Sequence, residues 1–515
     1  MANMTEAVQP GRSIGFLTLG ASLHDVLTRI KGSPEIYPKI DLSFSQERPL
    51  TKQVILSLPH NGLRLRFDGP DQRLRLIEVL DFASIKLTYK GVNVTKSAEG
   101  NLIPKSSISG ASGPSFRHVY QLFGITFPGE YHPPPEGDLS GIGTYILSYS
   151  GVAFTFPLRA SAWSDRADFV TMMGTDAAGT AVALAVYEGK SWPEARQDLF
   201  TRKPINPRSL ELAGRGIEGV PDEIEHVRIY GEGRLEMLRR SSTSFWITLN
   251  ESTPQDLITE LGPPDAIHKK EGESAEPYDA GEHIQSRNDA YTVGQQALSD
   301  VSGSAGSTGS HSSNVTDTYE TEFDDDDSPY DPENLSSNGL FYCYFSHGFD
   351  ILVSNPMVSS PSSPAIKRAS SVGGNDAEDC IDDTRQTVTK VILHGNVPGS
   401  FPFNRHRRSR WTLDHIPDPS STSTEPLTSE MSFSEIKQRL ESVFRHQLPG
   451  GEVHKGMVVN RGWADSPASS AILLDDLDDL NSTNEQGLPN TQLFEFPGLV
   501  FEVLDNDYIS ALTVY

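Results

Sequence analysis

The sequence predicts an α+β chain of repeated units, each a short helix followed by antiparallel β-strands, with long disordered insertions in the later units. Three observations carry this. A helix with the same start and stop signals recurs along the chain. Each helix is followed by strand-length runs that alternate apolar and polar residues around a glycine. Ser-, Gly- and Asp-rich stretches without the apolar density of a core interrupt the later units.

The first helix is written in GASLHDVLTRIKGSPE. Ser22 is placed to cap it, Asp25 sits near its positive end, and Leu23, Val26, Leu27 and Ile30 fall on one face. Gly32 ends it and Pro34 bars its resumption. In the strands that follow, Leu63, Leu65 and Phe67 alternate with Arg64 and Arg66, which predicts a dry and a wet face. This is unit one, residues 12–105. Unit two, 115–160, has a shorter signal, with Val119, Leu122 and Phe123 ahead of Gly124. Its hairpin TYILSYSGVAFTFPL puts Val152, Phe154 and Phe156 on one face. Residues 161–240 fit the repeat poorly. DFVTMMGTD, AVALAVYE and EHVRIYGEG read as strands of a β-rich addition.

Unit three, 244–413, opens with STPQDLITELGPPDA. Thr253 caps, Pro254 takes the first turn, and Leu257, Ile258 and Leu261 form the face. Its strands are split by insertions at 268–338 and 355–386. Residues 415–430 also read as disordered, without the Leu, Val or Ile density a core requires. Unit four, 431–515, carries Ser432 and Glu435 as a capping box, with Ile436, Leu440, Val443 and Phe444 as the buried face and an insertion at 464–490. Gly62, Gly151, Gly348 and Gly498 mark the hairpin turns where a positive φ is expected.

The 515 residues carry a formal net charge of −26. Phosphate backbones are bound by a Lys/Arg surplus, so this deficit argues against nucleic acid and against direct adsorption to anionic lipid. Two cysteines, Cys343 and Cys380, make no disulfide framework and point to a reducing compartment. The N-terminus has no signal-peptide pattern, and no run approaches the ~20 apolar residues of a membrane span.

No Walker loop, HExxH, CxxC, nucleophile elbow or dinucleotide fingerprint is present, so no residue is assigned to catalysis, a metal or a cofactor. His60, His118, His347 and His394 are the histidines that an enzyme reading would use; as turn or strand-end residues they need no such role. The run Asp324–Asp327 lacks the ligand spacing of a calcium loop and reads as a solvated acidic tract. The stretch 394–411 stands out in an acidic chain. Arg405, His406, Arg407, Arg408 and Arg410 form either a patch that reads an acidic protein or headgroup, or a wet strand edge or internal salt-bridge set facing the acidic insertions. Leu473, Leu477 and Leu480 fall at helical spacing within acid, as in a partner helix that folds on docking or a frayed surface helix. Ser370 and Ser371 after Lys367 and Arg368 offer a kinase target, and Tyr37 to Ile40 has a short β-augmentation form.

Several collinear runs resemble the phagophore assembly factor family: FLTLGASLHDVLTRI, the strands from Ser43 to Asp81, FPGEY, the hairpin around Gly151, KVILHGNVPGSFPFNRH and FEVLDNDYISALTVY. The resemblance implies a non-catalytic, cytoplasmic protein of autophagy. It implies pairing with a WD40 β-propeller protein, recruitment to the pre-autophagosomal structure, and membrane contact made indirectly through that partner. A role in traffic from the trans-Golgi network is the alternative it implies; an enzyme with an unrecognised site is a further one. It assigns no catalytic residue and no cofactor.

Overall fold

The computed structural model describes residues 5–95, 112–203, 223–239, 243–269, 339–355, 386–414, 426–444, 456–459 and 491–515. They fall in one compact unit. The chain folds as two halves of the same element order. The first half begins with β1 (Thr5–Gln9), β2 (Ser13–Ile14) and β3 (Leu17–Thr18), then helix α1 (Leu23–Lys31). A four-strand meander follows: β4 (Asp41–Ser43), β5 (Val54–Leu58), β6 (Leu63–Phe67) and β7 (Leu74–Val79). Next come β8 (Lys86–Tyr89), β9 (Val92–Asn93) and helix α2 (Phe116–Phe123). The second meander is β10 (Glu130–His132), β11 (Ile142–Tyr149), β12 (Val152–Arg159) and, past the short helix α3 (Phe169–Met173), β13 (Ala183–Tyr187). Helix α4 (Trp192–Asp198) closes the half.

The second half repeats this with β14 (Ile224–Tyr230), β15 (Arg234–Arg239), β16 (Phe245–Thr248) and helix α5 (Pro254–Leu261). Its first meander is β17 (Ala266–Lys269), β18 (Leu340–Tyr344), β19 (Phe349–Ser354) and β20 (Thr387–His394). Then come β21 (Trp411–Leu413), β22 (Leu427–Thr428) and helix α6 (Phe433–Phe444). The last meander is β23 (Met457–Val459), β24 (Thr491–Phe496), β25 (Leu499–Val503) and β26 (Ile509–Val514).

Each half pairs its two meanders through their last strands. The orders are β10-β11-β12-β13-β7-β6-β5-β4 and β17-β18-β19-β20-β26-β25-β24-β23. The joints are apolar: Leu184 faces Val79 and Val186 faces Ile77 in one, Val391 faces Val514 and Leu393 faces Leu512 in the other. The opening strands make smaller sheets, β3-β2-β1-β8-β9 and β16-β15-β14-β21-β22, each closed by one parallel pair. Both sheets and both long helices of a half share a core, so the helical faces are buried against strands.

The expected local signals place these elements. Ser22 accepts from the Asp25 N–H at α1, and Thr253 and Asp256 form a reciprocal capping box at α5. Leu23, Val26, Leu27 and Ile30 are buried, each worth roughly 1.5–3 kcal/mol of transfer free energy. At α6 the Ser432 hydroxyl accepts from the Glu435 N–H, and the Asp507 carboxylate also reaches the Ser434 N–H. Ser115 caps α2 in the same way, a signal passed over in the sequence. The wet-face Arg64 and Arg66 share the Glu78 carboxylate, at 2.7 and 3.0 Å.

Gly62, Gly151, Gly348 and Gly498 each join the second and third strands of a meander, all with positive φ. At Gly348 (φ +91°) a Cβ would lie 2.4 Å from the Arg407 carbonyl oxygen, so neighbouring backbone closes over the turn.

Among the described residues of 161–240, read as a β-rich addition, β13 completes the second meander, whereas β14 and β15 open the second half. DFVTMMGTD is helix α3 rather than a strand, because Asp168 caps it through the Thr171 N–H and buries Met172 and Met173 ahead of Gly174. The run Asp324–Asp327, Ser370, Ser371, Cys380 and the leucines Leu473, Leu477 and Leu480 lie outside the described residues.

Candidate functional site

The two halves meet at a polar seam, and the run from His394 to Trp411 builds most of it. This run connects β20 to β21. It is folded by its own hydrogen bonds: the Asn404 N–H donates to the Asn396 side-chain oxygen (2.7 Å), and the Ser400 hydroxyl donates to the Val397 carbonyl (2.7 Å). Asn396 and Asn404 hold positive φ, which asparagine tolerates better than most side chains. From this loop Phe403 enters the core of the first half, and Val397 packs with Leu50 and Leu504.

The polar contacts are dense. Gln72, in the turn before β7, donates to the Asn396 carbonyl (2.8 Å) and accepts from the Asn396 amide (2.7 Å). His24 Nε2 lies 3.2 Å from the Arg405 carbonyl. Glu223 is clamped between Arg73 (2.9 Å) and Arg407 (3.3 Å), with all three side chains buried. The buried Asp25 carboxylate also feels Arg407. Burial works to raise its pKa, but His24, Ser22 and Arg407 together hold it below the usual range. Two guanidiniums are thereby balanced by two carboxylates away from water, the condition under which buried charge is tolerated.

A second set lies beside it. Arg408 donates to the carbonyls of Pro70 (2.7 Å) and Gly395 (2.8 Å), and its guanidinium is 3.4 Å from Glu430. Arg410 bridges Asp71 (2.5 Å) and Glu430 (2.7 Å). Glu430 is partly desolvated, yet Arg408 and Arg410 hold its pKa down at about 2.

The run is therefore not one exposed patch, which corrects the anion-reading expectation. His406, Arg407 and Arg408 are buried, and Arg410 is bound by two carboxylates. Arg405 is exposed, its guanidinium stacked over the Phe401 ring at 4.5 Å. Among the described residues, Asp71, Glu223 and Glu430 are carboxylate partners of Arg407, Arg408 and Arg410. A sequence cannot show whether an arginine is wet or paired, because these carboxylates lie far away along the chain.

Next to the seam opens a pocket of about 510 Å³, lined in part by Lys203, His226, Arg228, Arg239 and Arg410. Its cations are compensated: Lys203 by Glu225 (3.1 Å), Arg239 by Glu260 (2.7 Å) and Arg228 by Glu236 (3.5 Å). His226 is pushed down to about 4 by burial first and then by the Arg410 charge. Within that lining His226 Nε2 meets the Thr412 hydroxyl.

Of the four histidines singled out by sequence, His60 is exposed. His118 lies 3.0 Å from the Asn93 carbonyl. His347 is buried among aromatic rings and pushed down to about 3, mainly by burial. His394 is brought against Asp350 (2.9 Å), which also meets His406 (2.8 Å). Among the described residues this is a group of three side chains of metal-ligating type that converge, with ligand atoms within 4.8 Å of one another. Its members have no motif spacing, and fold alone assembles them. Among the described residues, no helix is long and apolar enough to cross a membrane.

Comparison with known proteins follows the same two-part frame. A family model described as phagosome assembly factor 1 matches residues 13–289 and 379–515. A PHAF1 protein of Arabidopsis thaliana is 22% identical over 520 residues, covering 99% of this chain and 92% of that protein. A PHAF1 protein of Drosophila melanogaster is 21% identical, covering 96% and 90%. A PHAF1 protein of Caenorhabditis elegans is 30% identical over 139 residues, covering 27% and 28%. No solved structure matches. Since the match takes in both halves of the duplicated fold and the seam-building run from His394 to Trp411, the chain belongs to the phagosome assembly factor 1 family.

Proposed function

We propose that this chain is a non-catalytic adaptor of autophagy that associates with the phagophore together with a WD40 β-propeller protein. The observation that carries the reading is family membership across most of the chain, with relatives bearing the same family name nearly end to end. The seam adds support. Its arginines are tied to Glu223, Glu430 and Asp71, so they serve to fix one arrangement of the two halves, as a scaffold needs. The net charge of −26 favours membrane contact made through a partner, and it disfavours nucleic acid. No cofactor enters this reading.

The test is the tagged chain in starved cells, imaged and then purified with what accompanies it. Recruitment to punctate autophagic structures, and recovery of a propeller protein, are the expected results. A chain that stays diffuse on starvation, or co-purifies with Golgi tethers instead, overturns the reading.

A further inference from the structure

Asp350 and His394 share one face of adjacent strands. Asp350 on β19 pairs with Ile392 on β20, and His394 lies two residues further along β20. The seam loop then returns His406 to the same place. The carboxylate of Asp350 receives His394 Nε2 on Oδ2 at 2.9 Å and His406 Nε2 on Oδ1 at 2.8 Å. The two imidazoles stack with centroids 3.8 Å apart and planes 16° from parallel. Cys343, opposite Asp350 on β18, sets its thiol against the same carboxylate.

We propose that Asp350, His394 and His406 bind a divalent metal ion, zinc by the character of the donors, that pins the seam loop to the sheet of the second half. Three arguments carry this. First, the donor set of two imidazole nitrogens and a carboxylate is the one zinc takes where a position is left for water or a further ligand. Second, the spacing suits an ion. Ligand atoms on tetrahedral zinc, with bonds of ~2.0–2.1 Å, stand about 3.3 Å from each other. The nitrogen–oxygen separations of 2.8 and 2.9 Å have to open by only a few tenths of an ångström. Third, the place is mostly withdrawn from water yet reachable, with side-chain exposures of 14% at Asp350, 16% at His394 and 9% at His406.

The reading is independent of the adaptor role. The full chain, stripped by chelator and dialysed against zinc, is expected to retain one zinc per chain by elemental analysis and to melt at a higher temperature when loaded. Asp350→Asn and His406→Gln are each expected to weaken zinc at least tenfold, while His268→Gln, which removes an exposed histidine on β17, leaves it unchanged. Cobalt(II) in the unaltered chain gives a readout that needs no variant, through the visible absorption of a low-coordinate site. Folded chain that retains no zinc, equal retention by Asp350→Asn and His406→Gln, or cobalt with only its aqueous spectrum overturns the proposal.

Discussion

Gln72 and Asn396, 324 residues apart, close on each other as a reciprocal amide pair in which each side chain makes a hydrogen bond to the other residue. Both are buried, and Asn396 additionally accepts from the Asn404 N–H. One pair thus joins the halves and shapes the loop. Replacing Asn396 by Ala strands the Gln72 side-chain oxygen and the Asn404 N–H, while the Gln72 N–H keeps the backbone carbonyl of residue 396. The expected cost is roughly 2–6 kcal/mol, at about 1–3 kcal/mol for each of the two buried groups left unsatisfied. Urea denaturation measures it, and a change below 1 kcal/mol would mean that water replaces the pair at no penalty.

Glu223 holds two buried guanidiniums. Changing it to Gln keeps the shape but removes the charge that Arg73 and Arg407 share. Breaking a buried pair from one side costs about 3–5 kcal/mol. The double change Glu223→Gln with Arg407→Met should recover part of that loss, because it also removes one stranded cation. If the double variant is less stable than Glu223→Gln by the full cost of Arg407→Met alone, the two residues act independently and the clamp is not a unit.

Acid should act on the seam in two stages. His226 faces Arg410, Arg228, Glu430 and Glu225, and its folded pKa is lowered to about 4. An unfolded histidine titrates near ~6.5. Between these values the unfolded chain binds the extra proton, so this contribution is whole above pH ~6.5 and falls as pH drops towards 4. Glu430 follows: its folded pKa of about 2 lies below the ordinary carboxylate value. Its contribution is whole above pH ~4.3 and is lost from there towards 2. Melting curves at pH 7, 5 and 3 check the order. His226→Gln should lose less between pH 7 and 5 than the parent; an equal loss assigns the first stage elsewhere.

The four hairpin glycines predict unequal costs for one substitution. At Gly498 (φ +76°) an added Cβ meets the Tyr515 carbonyl oxygen at 3.5 Å, ordinary contact, so Gly498→Ala costs chiefly its left-handed backbone, about 1–2 kcal/mol. At Gly348 the Cβ would strike the Arg407 backbone, so Gly348→Ala should cost more and should open the seam loop to protease. Equal melting temperatures for the two variants would show that the loop yields without resistance.

Much of this fold is legible locally. Ser22, Thr253 and Ser432 announce helix starts, alternation from Leu63 to Phe67 announces a half-buried strand, and the glycines announce the turns. These signals act within a few residues, so one sequence contains them. The joining of β7 to β13 and of β20 to β26 rests on contacts between distant segments, and no local pattern encodes a partner. That is why 161–240 reads as an addition although it ends one half and opens the next. The same limit hides the seam. The arginines from Arg405 to Arg410 are conspicuous, but Asp71, Glu223 and Glu430 decide their meaning. His394 is visible as a histidine near a strand end, whereas its convergence with Asp350 and His406 is made by tertiary structure.

The duplicated fold is closed by unequal connections. Residues 80–85 join β7 to β8, while 395–410 join the corresponding strands β20 and β21. Two identical subunits would display every outer feature twice and accept binders in pairs. Here a doubled architecture is fastened from one side, so its members are no longer interchangeable. Any surface bordering the fastening exists once per chain, which gives each chain a front and a back.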